Sequence, residues 1–151
     1  MNNNQNTGSL FAISVSEKKG TKKHNIGEAE FIENFGIKGD AHAGNWHRQV
    51  SMLSLSSVEK MRKGAKIEIN AGDFAENLTI SGLDLNALKI GSIVRINEVR
   101  LEITQRGKEC HSRCQIFEAV GDCVMPREGI FAKVLSGGIV KVHDTVLLER
   151  L

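Results

Sequence analysis

Short apolar runs cut apart by glycines restrict this chain more than any other feature. Fifteen glycines are spread over 151 residues, many beside short stretches that alternate apolar with small or polar side chains. Alternation with period two marks a strand with one buried face. Residues 10–16 alternate in this way, and strands are also expected over 29–35, 50–55, 74–80, 130–135, 139–142 and 145–148. The runs 92–96 and 99–105 read as a hairpin around Asn97-Glu98, a weaker turn pair than Asn-Gly. One helix is expected from a cap at Ser56 or Ser57, through Val58 and Met61, to Gly64. A second, short one is expected over 115–120, ending at Gly121. Residues 18–24, rich in lysine, read as an exposed turn. Many short strands with tight turns and few helices predict a mainly β chain, folded as a closed or nearly closed β-barrel. Closure removes the exposed sheet edges that such strands would otherwise leave.

Composition narrows the function classes. With 40% hydrophobic and 25% charged residues, the chain has the make-up of a soluble protein. Residues 1–8, Asn-rich and polar, are expected to be a flexible start, and 9–151 a single domain able to bury about two-thirds of its unfolded surface. A net charge of +2 gives no electrostatic argument for nucleic acid as a partner. No run of about 18 apolar residues and no signal-peptide pattern occurs, so neither membrane insertion nor export is expected. Three cysteines would leave one unpaired in a disulfide framework, which favours a reducing, cytoplasmic setting.

Those cysteines carry the strongest chemical signal. Cys110 and Cys114 flank His111 and Arg113, with Lys108 just before them and Cys123 soon after. Positive neighbours favour thiolate, which is both the nucleophile and the metal ligand. The plainer reading makes free cysteines small core residues, but three in so polar a setting favour chemistry.

A second stretch, Gly36-Ile37-Lys38-Gly39-Asp40-Ala41-His42-Ala43-Gly44, is followed by His47-Arg48-Gln49-Val50-Ser51. Small residues let a ligand approach the backbone, while His42, His47 and Arg48 offer donors to an anion. Asp40 would orient a neighbouring histidine or brace the loop through an Asx turn. The competing reading is a glycine-rich connection whose polar groups serve only its own backbone. A third stretch sets Glu76 and Asn77 in an apolar run, where they are expected to brace the glycine loop rather than catalyse.

In this order the stretches resemble the MOSC domain, the module named from the C-terminal region of molybdenum-cofactor sulfurases. The resemblance runs through residues 39–44, Arg48-Gln49-Val50-Ser51, Glu76-Asn77-Leu78-Thr79, Ile90-Gly91, Thr104-Gln105 and the 110–114 segment, and is greatest to small stand-alone bacterial members. It implies a barrel-type β fold and a role in binding the molybdenum cofactor (molybdopterin), in carrying sulfane sulfur, or both. Arg113-Cys114 matches the Arg-Cys pattern of one branch and makes Cys114 the first choice for reactive residue and metal ligand. A second branch would point to Cys110 instead.

In the carrier reading Cys114 takes sulfur as a persulfide and Cys110 resolves it by thiol-disulfide exchange. In the binding reading the Cys114 thiolate ligates molybdenum. Lys19, Lys22, Lys23, His42 and Arg48 would hold the phosphate of the pterin, although the plainer reading of the lysines is a solvated loop. Asp40, Asn77, Lys108, His111 and Arg113 complete the expected cofactor-binding set. The pyridoxal-phosphate domain that extracts sulfur in full sulfurases is not expected within these 151 residues, so the implied partners are a sulfur donor such as a cysteine desulfurase and a molybdoenzyme or cofactor-biosynthesis protein. The alternative is a non-enzymatic zinc or interaction module built on Cys110, His111, Cys114 and Cys123.

Overall fold

The computed structural model describes residues 6–64, 68–107 and 124–150. Seven strands close a barrel: β1 (Thr7–Val15), β5 (Val50–Ser54), β6 (Leu78–Ser81), β7 (Ile93–Ile96), β8 (Val99–Arg106), β9 (Ile130–Ser136) and β11 (Thr145–Arg150). Closure is made where Thr7, Gly8 and Ser9 of β1 pair with Leu147, Val146 and Thr145 of β11. The eighth strand of the sheet, β2 (His24–Ile26), hangs on the end of β1. β3 (Glu28–Ile32), β4 (Gly36–Ile37) and β10 (Gly138–Lys141) form a separate small sheet in the order β10-β3-β4.

The period of two sorts side chains between two cores. In β8, Val99, Leu101 and Ile103 are buried while Arg100, Glu102 and Thr104 are not. Met52 packs with Leu10, Ile13, Leu78, Ile80, Ile103 and Ala132 in the main core. Its neighbour Leu53 turns the other way, to Val58, Phe74, Val124 and Phe131. That second cluster seats the helix α1 (Leu55–Gly64) against the sheet. β5 and β6 are the barrel's one parallel pair among the described residues, so a hairpin cannot join them. A crossover through α1 makes the connection instead.

The expected barrel is present, with differences in detail. β1 begins at Thr7, inside the stretch expected to be flexible, because β11 supplies its backbone partners there. The helix cap is Ser54 rather than Ser56 or Ser57: its hydroxyl accepts from the amide of Ser57 at 3.2 Å, the third helical residue. The expected strand over 29–35 stops at Ile32, and Asn34 takes φ +52° in the turn that follows. Residues 74–77 are not strand. Gly72 (φ +93°) and Ala75 (φ +67°) lie in the left-handed region, and the chain there winds around the Glu76 carboxylate. β2 and β4 were not expected, being too short to show a period. A four-residue helix, α2 (Met125–Glu128), was not expected either. The helix expected over 115–120 lies outside the described residues. Among the described residues, no helix is long and apolar enough to cross a membrane.

Candidate functional site: a basic, aromatic cavity over a buried ion pair

Asp40 organises the loop between β4 and β5. Its Oδ1 accepts from the Ser16 amide at 3.1 Å and from Lys23 Nζ at 2.7 Å, and its Oδ2 accepts from the His42 amide at 3.1 Å. The last contact is the Asx-type turn expected of this residue. Both side chains of the Lys23–Asp40 pair are fully buried. Burial pushes the Asp40 carboxyl up, but the Lys23 hydrogen bond and charge, with help from Ser16 and Asn77, more than offset it and hold it below the usual carboxylate range. Lys23 Nζ also donates to Ser16 Oγ at 3.0 Å and lies 3.0 Å from His42 Nδ1. Residues 18–24 are therefore not simply an exposed turn: Lys23 folds inward, because a buried carboxylate there needs a cation.

Above this pair an aromatic wall collects the cations. The Trp46 indole donates to the His42 carbonyl at 2.7 Å, and the two rings stack with centroids 6.4 Å apart. Lys19 Nζ sits 4.4 Å and Arg48 Cζ 4.7 Å from the Trp46 ring centroid, and Arg48 is also 5.6 Å from that of Phe131. Together with Gly20 these residues line a cavity of about 260 Å³. Arg48 Nε is buried there without a hydrogen-bond partner among the described residues. A buried donor left unmet costs stability unless a ligand or water meets it.

Glu76 and Asn77 form the scaffold behind the loop. Asn77 is fully buried: Oδ1 accepts from the Ser51 amide at 2.9 Å, and Nδ2 donates to the Ser14 carbonyl at 3.0 Å, tying β5 to β1. Glu76 accepts from the amides of Gly72 and Phe74 and from the Thr79 hydroxyl. Burial pushes its carboxyl up to about 7 against the pull of those donors.

The structure thus brings Lys19, His42 and Arg48 together at one cavity, with Lys23 and Asp40 beneath it. Lys22 is exposed and does not line it, and the polar atoms of Asn77 bond the chain itself. Lys108, Cys110, His111, Arg113, Cys114 and Cys123 lie outside the described residues. The approach to that segment is described, however. Gln105 Nε2 donates to the carbonyl of Gly107, while its Oε1 lies 2.7 Å from His47 Nε2. The Thr104 hydroxyl donates to the His47 carbonyl. The end of β8 is therefore bonded to the glycine loop. Trp46, Phe131, Ser16 and Gln105 were missed as site residues. Trp46 alone carried a signal, as the chain's single tryptophan set in a loop of small and polar residues. Among the described residues, no three His, Cys, Asp or Glu side chains gather as a metal-ligand group.

A closed barrel bearing a cavity lined by basic and aromatic side chains at its glycine loop defines a small β-barrel domain. The family model for the MOSC domain matches residues 39–147, and the chain belongs to that family, which is associated with the molybdenum cofactor and sulfur metabolism. The crystal structure of the YUAD protein from Bacillus subtilis is similar over 93% of this chain and 94% of that one, with a TM-score of 0.76 and 18% identity. YiiM from Geobacillus stearothermophilus is similar over 93% of this chain and 74% of that one, with a TM-score of 0.72 and 15% identity. YiiM from Escherichia coli gives 93% and 69%, a TM-score of 0.66 and 16% identity. At these identities the likeness is one of fold. No curated protein sequence gives a significant match.

Proposed function

We propose that this MOSC-domain protein holds the phosphate end of the molybdenum cofactor in the cavity of Lys19, His42 and Arg48, and carries sulfur or ligates metal through Cys114. The observation that supports it is Arg48 Nε, a buried donor with no partner among the described residues, in a cavity lined by two further basic side chains. Such a donor set fits a phosphate, which brings only acceptors. The aromatic faces of Trp46 and Phe131 fit a flat ring beside it. When bound, the group would supply a molybdenum centre, for which thiolate is a suitable soft ligand.

The chain's own residues have three tasks in this reading. Arg48 and Lys19 neutralise the anion. The Lys23–Asp40 pair keeps the loop in shape. The Cys114 thiolate attacks the outer sulfur of a donor persulfide, forming the Cys114 persulfide and releasing the donor as a thiolate, and then passes that sulfur to an acceptor. A cysteine desulfurase as donor, and a molybdoenzyme or cofactor-biosynthesis protein as acceptor, belong to the same proposal, as does a cytoplasmic location.

Two outcomes test it. Arg48→Gln is expected to weaken cofactor binding by roughly tenfold or more, since a hydrogen bond to a charged group is worth about 1.5–3 kcal/mol. Calorimetric titration under nitrogen measures this, and an unchanged affinity would remove the cavity from the reading. Cys114→Ser is expected to abolish persulfide loading, seen as loss of the one-sulfur mass increment, with the circular dichroism spectrum unchanged. Cys110→Ser should reduce sulfur release less severely. A reversal of the two makes Cys110 the reactive thiol, and full loading in both ends the thiol-centred proposal.

A further inference from the structure

The charge of the cavity depends on a group behind its wall. A lysine ammonium has three N–H donors and no lone pair. Among the described residues, Lys23 Nζ meets Asp40 Oδ1 at 2.7 Å, Ser16 Oγ at 3.0 Å and His42 Nδ1 at 3.0 Å. The fully buried Asp40 carboxylate keeps Lys23 in the ammonium form. His42 Nδ1 must then supply the lone pair, which places the ring proton on Nε2 and leaves the ring neutral. Protonating Nδ1 would set two cationic N–H groups against each other at that distance.

The other charged groups around the ring among the described residues point the same way. Lys19 and Arg48 share the cavity wall with His42 and add two further cations. Asp40 Oδ2 lies 3.9 Å from Nδ1, but its carboxylate is already matched by Lys23. Trp46 stacks on the ring and Phe131 faces the same cavity, and neither brings charge.

We propose that Lys23 is a positioning residue for His42: by donating to Nδ1 it holds the imidazole neutral with its proton on Nε2, so the cavity's affinity for an anion stays constant where histidine ordinarily titrates. This rests on the reading of the cavity as an anion site. Lys19 and Arg48 then carry the charge, and His42 contributes shape and a fixed tautomer. Loss of Lys23 frees Asp40 to pair with a protonated His42. Anion binding then becomes pH-dependent, weaker where the ring is neutral and stronger where it is protonated.

Two measurements decide it. In protein labelled with nitrogen-15 at histidine, with His42 assigned by loss of its signals in His42→Gln, the His42 nitrogens should show the neutral Nε2–H pattern from pH 8 to pH 5.5. Sulfate, whose charge is constant over that window, is then titrated at fixed ionic strength and followed by the fluorescence of Trp46. The wild-type dissociation constant should change by less than about twofold, whereas in Lys23→Met it should tighten on the order of fivefold as pH falls, as one added charge near a surface anion predicts. Should Lys23→Met fail to fold, Lys23→Met/Asp40→Asn buries no lone charge and should show the same tightening. An Nδ1–H tautomer or an imidazolium at pH 7 with sulfate still bound overturns the role of Lys23 alone. The expected tautomer with no sulfate binding in any variant overturns the anion-site reading and the pH consequence with it.

Discussion

Replacing Asp40 with alanine is expected to lower the unfolding free energy by roughly 3–5 kcal/mol, the usual cost of leaving one partner of a buried ion pair uncompensated. Lys23 and Asp40 are both fully buried, so water cannot take the place of the missing carboxylate. The loss also removes the acceptors of the Ser16 and His42 amides. Urea unfolding at pH 7 measures the effect, and a change below about 1 kcal/mol would mean that the pair contributes little. Lys23→Met/Asp40→Leu, which removes both charges, should recover much of the loss. The same carboxylate has an acid signature. Its folded pKa lies below the ordinary value of 3.8, so its stabilisation is full above that value and is lost as pH falls through the folded one.

Glu76 is expected to have the opposite signature. With the folded carboxyl pushed up from 4.5 to about 7, the folded state binds a proton that the unfolded chain has already released between those values. Unfolding free energy therefore falls as pH rises through that window, by roughly 3 kcal/mol in all. Glu76→Gln should remove this slope at the cost of a constant offset, because an amide nitrogen must replace one acceptor oxygen among the donors of Gly72, Phe74 and Thr79. The measurement is the difference in unfolding free energy between wild type and variant at pH 4.5, 6 and 8. A difference that does not change with pH would show that Glu76 stays ionised when folded, its three donors outweighing its burial.

Much of the site was legible in outline. The glycine loop and its basic residues stood out because small residues beside histidine and arginine are unusual on a plain connection. Asp40 was flagged as a brace of the loop, Glu76 and Asn77 for their polarity among apolar neighbours, and the structure puts all three inside, where such groups must bond. What the reading lacked was direction. Lys22 and Lys23 are adjacent and chemically identical, yet one is exposed and the other fully buried. What separates them is the partners Lys23 finds inside, among them a carboxylate 17 residues away.

The sequence by itself determined most of the barrel strands, the helix α1, the hairpin at Asn97-Glu98 and the barrel class. Those follow from period-two alternation and turn chemistry, which act between residues close in the chain. Asn97 shows this locality: it takes φ +56°, a left-handed conformation that asparagine tolerates better than most residues. Tertiary structure alone decided the parallel β5–β6 pair, the closure of β1 on β11 and the cavity itself. Each of these joins groups distant in sequence, such as Phe131 with Trp46, or His47 with Gln105 across 58 residues. Such pairings depend on strand register around a closed sheet, a property of all seven strands together that no single stretch encodes.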